Sequence, residues 1–596
     1  MKKELTKTEK LIRLFRVIGI ALAAVLVVVL LGIFALLIKV KGNVSYIYNY
    51  LYGTRGSLPV TEYAGATVGA DAKVPYCIPE TDPLAIFDRT EVSVNGVMTD
   101  AFARETEIEF SEDYLKDFTA YKGIITFRGN YMRSLSAYGT PQITENKIAP
   151  TTWKYKTGKF LKCDGVNYWS GNGWTGQPLA VQWDPETRNL MNLYKEAKSK
   201  ANLVEVIYPG MDGKIRFLDM ETGKETREPI NVGMTFKGTC SLHPDYPLLI
   251  CGSGDSATGL FGEQVSARLF IYNLIDGTKL GEIGANDALA PRVWHAFDSS
   301  PIFCTAADTV ICPGENGLIY TVRLNTEYNP ETGELRINPD ETVRYAYYPK
   351  QKDDRFGANG SSKSGAESNG SESSAVVYDK YLFFGDNGGI FQCLDLNTMQ
   401  PVWVQDLYED INSSPVFEIN DNGEKFIYVA TTLKFHYDAN HLGEACLYKL
   451  NAMTGAIVWK KPYEVHTVQG LAGGFLSSGA CGSGDVSDYL FYSVSKVPSV
   501  DTGYIVAISK TTGEEYWRLE LRCDAWSSGC LIKAADGKTR LVQCCANGDI
   551  LLIDAKNGKI LDTMNFGSNI ESTPVIFENR LAVGLRSENI IGIEFK

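Results

Sequence analysis

The chain has 596 residues, of which 44% are hydrophobic and 22% are charged, and these proportions are ordinary for a globular protein. Its formal net charge of −13 and its lack of a basic patch argue against a nucleic-acid partner. Only five histidines are present, which limits the options for acid–base or zinc chemistry.

The N-terminus carries a long apolar segment. Residues 17–38 are uncharged and long enough to cross a hydrocarbon core of about 30 Å as one helix. Basic residues are concentrated before this segment: Lys2, Lys3, Lys7, Lys10, Arg13 and Arg16 precede it, and Lys39 and Lys41 follow it. The positive-inside rule therefore predicts a single-pass protein of the cell membrane. Residues 1–16 would be cytoplasmic, 39–150 an extracytoplasmic juxtamembrane segment, and 151–596 an extracytoplasmic domain.

The juxtamembrane segment contains two short predicted elements. Residues 91–97 read as a hairpin, because Asn95-Gly96 suits a tight turn between two alternating runs. Residues 111–121 read as a helix that begins at Ser111. The segment suggests no activity.

A short pattern recurs after the juxtamembrane segment: a turn glycine, an alternating apolar run and a polar cap. Its four copies begin at Gly213, Gly389, Gly503 and Gly548, and in three of them a second glycine follows ten residues later. The first glycine permits the positive φ of a hairpin turn, and the alternating run is typical of a strand. Such a unit cannot bury both faces alone, so the copies must stack.

Eight inner strands can be counted by their openings of small residues, often with proline. They open at 176–178, 238–241, 299–301, 373–375, 413–415, 477–479, 527–529 and 572–574. Their spacing of roughly 40 to 74 residues is close to a propeller blade with loop insertions. We therefore predict an all-β fold, an eight-bladed β-propeller of four-stranded antiparallel blades over 151–596. The last blade lacks one strand, and residues 151–158 are predicted to supply it.

Residues 353–374 are rich in Gly, Ser and Asn and almost free of apolar side chains. This composition predicts a flexible loop between two blades.

The thirteen cysteines follow the repeats. Cys251, Cys312 and Cys545 each end a strand just before a turn, and Cys393 falls in register with Ala507. We interpret them as small buried residues of the blades. Because the count is odd, at least one thiol is free.

Several motifs make the chain resemble the PQQ-binding-like β-propeller repeat family. Residues 127–134, Phe-Arg-Gly-Asn-Tyr-Met-Arg-Ser, are similar to a run that often leads into such propellers. Thr-Gly-x-x-x-Trp endings occur at 454–459 and 512–517, and 398–403 departs from the pattern by having methionine in place of glycine. The resemblance covers roughly 120–596. It implies an eight-bladed propeller in which Trp403, Trp459 and Trp517 pack between blades.

The same family includes quinone enzymes and non-catalytic scaffolds. The enzymes hold PQQ with a calcium ion, carboxylate or amide ligands and an Asp base, and many carry a disulfide between adjacent cysteines. Cys544-Cys545 is the one adjacent pair here, but it lies at a strand end, and no calcium-ligand set is recognisable. His436 and His441 share a loop without a third spaced ligand. We therefore predict no catalytic residue, no metal site and no bound PQQ or Ca²⁺.

Aromatic residues precede three of the inner strands, on connections that emerge at one face of a propeller. This candidate binding face consists of Tyr168, Trp169, Trp174, Trp294, His295 and Trp526. Aromatic rings among polar side chains suit a protein or glycan partner. The alternative is that these rings only pack the loops.

The sequence thus predicts a non-catalytic, membrane-anchored propeller that acts as an interaction scaffold at the cell envelope. A PQQ- and Ca²⁺-dependent oxidoreductase and a carbohydrate- or cell-wall-binding receptor remain the alternatives. The partner is an unidentified protein or glycan, together with the membrane through residues 17–38.

Overall fold

Eight antiparallel sheets form a ring in the computed structural model, so the predicted all-β, eight-bladed propeller is confirmed. The structure describes residues 6–39, 53–112, 119–150, 153–172, 174, 176–258, 264–350, 368–468 and 471–596. Each blade opens at one of the eight predicted small-residue sites.

The strands of each blade run from the channel outward. Blade 1 comprises Leu179–Gln182, Glu205–Pro209, Lys214–Asp219 and Ile230–Asn231; blade 2, Ser241–Leu242, Leu248–Gly252, Leu269–Asn273 and Lys279–Ile283; blade 3, Ile302–Cys304, Thr309–Pro313, Ile319–Arg323 and Glu341–Pro349; blade 4, Val376–Tyr378, Tyr381–Gly385, Ile390–Asp395 and Gln400–Asp406. Blade 5 comprises Val416–Ile419, Lys425–Ala430, Leu442–Asn451 and Ile457–His466; blade 6, Ala480–Cys481, Tyr489–Ser495, Gly503–Ser509 and Glu515–Leu521; blade 7, Cys530–Lys533, Thr539–Cys544, Asp549–Asp554 and Ile560–Asn565; blade 8, Val575–Phe577, Arg580–Leu585, Asn589–Glu594 and Trp153–Lys156.

The segment that precedes the propeller adds strands to three blades. The predicted hairpin is confirmed as Phe87–Val94 and Val97–Thr99, with positive φ at Asn95 and Gly96, and it extends blade 3. Further strands are Gly56–Ser57 and Thr61–Glu62 on blade 5 and Lys122–Ile124 on blade 1. Strands from both sides of residue 150 thus share sheets, and the boundary there stays a prediction. Most of the predicted helix at 111–121 lies outside the described residues.

The remaining elements are short, apart from one helix. Lys7–Lys39 is helical and includes a span long and apolar enough to cross a membrane. Within the described residues, the other helices are Pro83–Ile86, Pro185–Leu190 and Lys195–Ser199, with 3₁₀ turns at Ala64–Ala66, Pro79–Thr81 and Gly484–Val486. Short strands also occur at Lys159–Leu161, Tyr168–Ser170, Ala257–Thr258, Gln264–Val265, Glu327–Tyr328, Leu335–Arg336, Thr432–Leu433 and Gly473–Gly474.

The ring closes with a strand from before the first blade, as predicted. Trp153–Lys156 pairs antiparallel with Asn589–Glu594, from Gly592 opposite Trp153 to Asn589 opposite Lys156. Blade 8 therefore contains both ends of the propeller chain, and no edge is left bare between its first and last blades.

In each of four blades, a tryptophan on the outer strand packs against the next blade. The indole N–H of Trp403 donates to the Ala452 carbonyl oxygen at 3.0 Å, and its ring covers Gly455, where a Cβ would lie 2.6 Å from the ring. Because Gly455 also has a φ of 71°, only glycine suits this turn. The same arrangement recurs at Trp459 with Gly513, Trp517 with Gly558, and Trp153 with Gly223. The packing predicted for Trp403, Trp459 and Trp517 is confirmed.

Small hydroxyls join the inner strands around the channel. The backbone N–H of Ser374 donates to Oγ of Ser414 at 2.8 Å, and Ser414 N–H donates to Oγ of Ser478 at 3.0 Å. The chain of bonds includes Ser300 to Ser374, Ser478 to Ser528, Ser528 to Thr573, and Gln177 to Thr239. At these six contacts between neighbouring blades, a hydroxyl of one inner-strand opening accepts the backbone N–H of the preceding blade.

The motif at 127–134 crosses the channel as a plug. Arg128 is 1% exposed, and its guanidinium donates to the Gly529 carbonyl oxygen in blade 7 at 3.2 Å. Arg133 is fully buried and donates to the carbonyl oxygens of Ser300 and Ala375, in blades 3 and 4. Burial lowers the pKa of Arg133 to about 10. The two arginines hold the plug across blades that lie far apart in sequence.

The cysteines have the predicted environment. Cys251, Cys312 and Cys393 are fully buried and Cys545 is 1% exposed. All thirteen cysteines are within the described residues and none is joined in a disulfide. Cys393 lies opposite Trp403 as Ala507 lies opposite Trp517, which confirms their equivalent register.

The prediction of a flexible loop at 353–374 is wrong for its described part. Residues 353–367 lie outside the described residues, but Asn369, Ser371 and Ser373 are at most 3% exposed. The Asn369 amide donates to the Tyr347 carbonyl oxygen at 2.5 Å. Polar composition was misleading because these side chains are buried and bond to the backbone of blades 3 and 4, as Asn369 does to Tyr347 and Ser371 to Gly385.

Replacing Trp153 by alanine should destabilise the closing blade by about 3–5 kcal/mol, because it removes a buried ring and its bond to Met220. The melting temperature of the full-length protein in detergent measures this effect. Trp294→Ala is the control, since that ring is 39% exposed and should melt like the parent. Equal melting of the two variants would contradict the role of Trp153 in closure.

Replacing Ser414 by alanine should cost about 1–3 kcal/mol, because the buried N–H of Ser374 then has no acceptor. Ser414→Thr keeps a hydroxyl, as Thr573 does in blade 8, and should melt closer to the parent. If the alanine and threonine variants melt alike, the hydroxyl ring does not contribute to stability.

Candidate binding face and channel cavity

The four tryptophans of the candidate face meet at one end of the channel. The ring centroids of Trp169 and Trp174 are 6.0 Å apart, and those of Trp174 and Trp526 are 6.1 Å apart. Trp294 belongs to the same cluster through a shared neighbour, Lys237. The connections that precede blades 1, 3 and 7 thus converge, although they are separated by hundreds of residues in the chain.

Lys237 lies at the centre of this cluster. Its Nζ is 5.5, 5.7 and 5.3 Å from the ring centroids of Trp169, Trp174 and Trp294, within the range of a cation–π interaction. The ammonium also pairs with the Asp298 carboxylate at 3.3 Å. Burial alone would lower the pKa of Lys237, but the neighbouring carboxylates raise it above its usual value. The rings therefore surround a permanent cation supplied by the protein itself.

The members of the face differ in exposure. The indole N–H of Trp169 is held by the Asp255 carboxylate at 2.7 Å, whereas Trp294 is 39% exposed. Tyr168, 48% exposed, stands on the hairpin of Lys159–Leu161 and Tyr168–Ser170. His295 is half-buried, and burial lowers its pKa. Trp294 and Tyr168 offer free ring surface; binding by the face stays a prediction.

A cavity of about 310 Å³ continues from the tryptophans into the channel. Phe127 of the plug contributes to its lining, and so do Trp174 and Trp526 of the face. Seven of the eight blades add residues at or next to their inner-strand openings: Gly176, Gly238, Thr239, Asp298, Glu372, Ser374, Asp410, Asn412, Ser414, Leu476, Ser478 and Ser528. The small openings predicted from the sequence thus surround a central chamber.

The position directly before each Ser-Ser pair determines the chemistry of this chamber. Asp298, Glu372, Asn412, Leu476 and Trp526 each occupy that position and each line the cavity. The sequence analysis selected Trp526 for its aromaticity and missed the two carboxylates. Each of the two carboxylates directly precedes a Ser-Ser pair in the sequence. An alignment of the inner-strand openings with one another places both at the position that Trp526 occupies in blade 7.

Carboxylates in the chamber are only partly paired. Lys434 pairs with Asp410 at 2.7 Å, as Lys237 does with Asp298. Glu372, in contrast, forms no ion pair within the described part of the chain. Burial first, and then the Asp410 and Asp298 carboxylates, raises the pKa of Glu372. Glu372 thus brings an unpaired carboxylate to the cavity wall.

Glu315 lies behind this wall and is 1% exposed. One oxygen of its carboxyl group, Oε1, is buried without a hydrogen-bond partner in the described structure. Burial, together with Glu372 and Asp298, holds the pKa of Glu315 well above its usual range.

The adjacent cysteines and the two histidines of one loop lie in different surroundings. No three His, Cys, Asp or Glu side chains within the described ranges lie close enough to bind one metal ion. Cys544 and Cys545 pack in two different hydrophobic clusters, and neither lines the cavity. His441 lines the cavity, whereas His436 pairs with Glu409 at 3.0 Å.

Fold and closing strand define the chain as an eight-bladed β-propeller. Residues 501–595 match the family model described as outer membrane protein assembly factor BamB. No curated protein matches the chain in sequence.

Solved structures similar to this chain include a BamB and two alcohol dehydrogenases. BamB from Moraxella catarrhalis is 14% identical, with 70% of this chain and 96% of that chain covered at a TM-score of 0.39. Quinohemoprotein alcohol dehydrogenase ADHIIG from Pseudomonas putida HK5 is 10% identical, with 83% of each chain covered at 0.49. A europium-containing methanol dehydrogenase is 14% identical, with 79% and 91% covered at 0.38. None of these likenesses decides between a catalytic and a non-catalytic propeller.

Replacing Glu315 by glutamine should raise the melting temperature near neutral pH and leave it unchanged near pH 4. A carboxyl whose folded pKa is raised costs stability as pH rises from its unfolded pKa of about 4.3 toward its folded pKa. Glutamine removes this cost because it does not ionise. The control is Glu334→Gln, whose side chain is 56% exposed. A lower melting temperature at neutral pH for Glu315→Gln would contradict a raised pKa of Glu315 in the folded protein.

Proposed function

We propose that this protein is a non-catalytic scaffold of the cell envelope, anchored by its N-terminal helix, which binds a protein partner at the tryptophan face. The observation that carries the proposal is the convergence of Trp169, Trp174, Trp294 and Trp526 from three separate connections. Aromatic anchors near the centre of an interface commonly contribute about 2 kcal/mol or more each. The match of residues 501–595 to an assembly-factor model supports a role in binding.

The anchor gives the proposed orientation. The span within Lys7–Lys39 is long enough for one crossing, and the basic residues before it favour a cytoplasmic N-terminus. The propeller then lies outside the cytoplasm, where its face can reach other envelope proteins.

The chemistry of the chamber favours binding over quinone catalysis. PQQ is a tricarboxylate, so it would need cations at the wall, but the wall offers the unpaired carboxylate of Glu372. The paired lysines, Lys237 and Lys434, are already engaged by Asp298 and Asp410. The adjacent cysteines lie in the blade interior, away from any ligand in the chamber.

Replacing both Tyr168 and Trp294 by alanine should weaken capture of the native partner by at least about tenfold, because about 1.4 kcal/mol of lost contact corresponds to that factor. Partners are captured from cross-linked native membranes on the full-length protein and quantified. Both rings are substantially exposed, so the melting temperature should not change.

Tyr516→Ala is the matched control for this experiment. Its ring is 49% exposed on the outer strand of blade 6, and its loss should leave capture unchanged. Undiminished capture by the double variant would place the partner elsewhere. Stoichiometric PQQ in the purified protein, or dye-linked alcohol oxidation that requires it, would overturn the non-catalytic assignment.

A further inference from the structure

Two chemically different groups of residues line the chamber beneath the tryptophans. One is the carboxyl group of Glu372 with the rings of Trp174 and Trp526. The other is a set of serines from four consecutive blades: Ser374, Ser414, Ser478 and Ser528. Its volume of about 310 Å³ lies within the range of small-molecule sites, which begins near 300 Å³.

Each of these serine hydroxyls can still donate a hydrogen bond. Each Oγ accepts a backbone N–H from the preceding blade, at distances between 2.8 and 3.0 Å. None of the four hydroxyl groups donates its hydrogen to another described residue, although all four serines are at most 5% exposed. A buried hydroxyl hydrogen needs an acceptor, and the chamber is the space these hydroxyls border. They therefore suit a ligand with hydroxyl or ether oxygens.

The indole of Trp526 adds one more donor. Its Nε1 is buried and has no hydrogen-bond partner among the described residues, and the residue lines the chamber. A ligand oxygen would satisfy this N–H as well.

Glu372 is the acidic residue of the chamber lining without an ion pair in the described structure, since Lys237 and Lys434 pair with Asp298 and Asp410. Burial first, and then the Asp410 and Asp298 carboxylates, disfavour ionisation of Glu372 and raise its pKa. An ammonium group beside Glu372 would favour the ionised form and form a charge-assisted hydrogen bond, and the ring of Trp526 would attract the same charge.

We propose that the chamber binds a small hydroxylated amine, an amino sugar or amino alcohol. The ammonium lies at Glu372 and the hydroxyl oxygens lie at the serine ring. This site shares Trp174 and Trp526 with the tryptophan face, whereas partner capture is tested at the exposed rings of Tyr168 and Trp294. It requires no chemistry on the ligand.

Glucosamine, N-acetylglucosamine and cadaverine separate the two requirements. Glucosamine carries the ammonium and the hydroxyls, N-acetylglucosamine lacks the charge, and cadaverine lacks the hydroxyls. Titration calorimetry on the full-length protein in detergent should give the highest affinity for glucosamine, with each of the others at least about tenfold weaker. Equal affinity for glucosamine and its N-acetyl form, or no binding of glucosamine at 10 mM or below, would overturn the proposal.

Glu372→Gln should weaken glucosamine binding by about 10- to 100-fold, because a hydrogen bond to a charged group contributes about 1.5–3 kcal/mol. Glu571→Gln is the matched control. Glu571 holds the same position before Ser572-Thr573 in blade 8 and is buried, but it does not line the chamber.

The control should bind glucosamine like the parent. Near-ultraviolet circular dichroism and melting temperature establish that both variants fold, and Trp526→Phe, which keeps a ring but removes the N–H, provides a second test with an expected loss of about fivefold or more. Unchanged binding by Glu372→Gln would show that this carboxylate does not recognise the amine. Partner capture by Glu372→Gln should be normal, so failure here is distinct from failure of the scaffold assignment.

Discussion

The hydrogen bonds around the channel are the constraint on which the rest of this propeller depends. The first backbone N–H groups of each inner strand are buried near the crowded axis of the propeller. Each of these N–H groups needs a hydrogen-bond acceptor. Here a serine or threonine of the next blade supplies it, as Ser414 does for Ser374. Because the donor and acceptor belong to different blades, the arrangement is satisfied only when the ring is complete. The outer tryptophans, such as Trp403 over Gly455, hold the same blades together at a larger radius.

This constraint also produces the chamber. If the openings must be small and hydroxylated, the residue just before them is the first that is free to vary, and it stands at the channel mouth. This position is Asp298, Glu372 and Trp526 in three different blades, whereas the two residues that follow are serines in all three. The propeller thus separates positions that build the ring from positions that select a ligand, although the two are adjacent in the chain.

Much of the fold could be predicted from the sequence because it rests on local, repeated signals. Gly513 and Gly558 mark turns, and Trp517 marks an outer strand, wherever they occur in the chain. The loop error at 368–374 has the opposite cause: polar residues such as Asn369 are buried through bonds to Tyr347, which no local signal reveals.

The site was predictable only in part. Clustering of the tryptophans followed from the common end at which their connections emerge. The role of Lys237 could not be predicted from the sequence. Nothing near it in the chain indicates that the fold brings Trp169, Trp294 and Asp298 around its ammonium group. Likewise, the arginines of the plug give no sequence signal for their acceptors, which are carbonyl oxygens in distant blades.

The plug has one further consequence. With Arg128 and Arg133 bound across the channel and Phe127 against the chamber, the plug occupies part of the propeller axis. A macromolecule bound at the tryptophans would cover the chamber where Trp174 and Trp526 line it. A small molecule in the chamber would then exchange with solvent more slowly for as long as the macromolecule stays bound, without contact between the two.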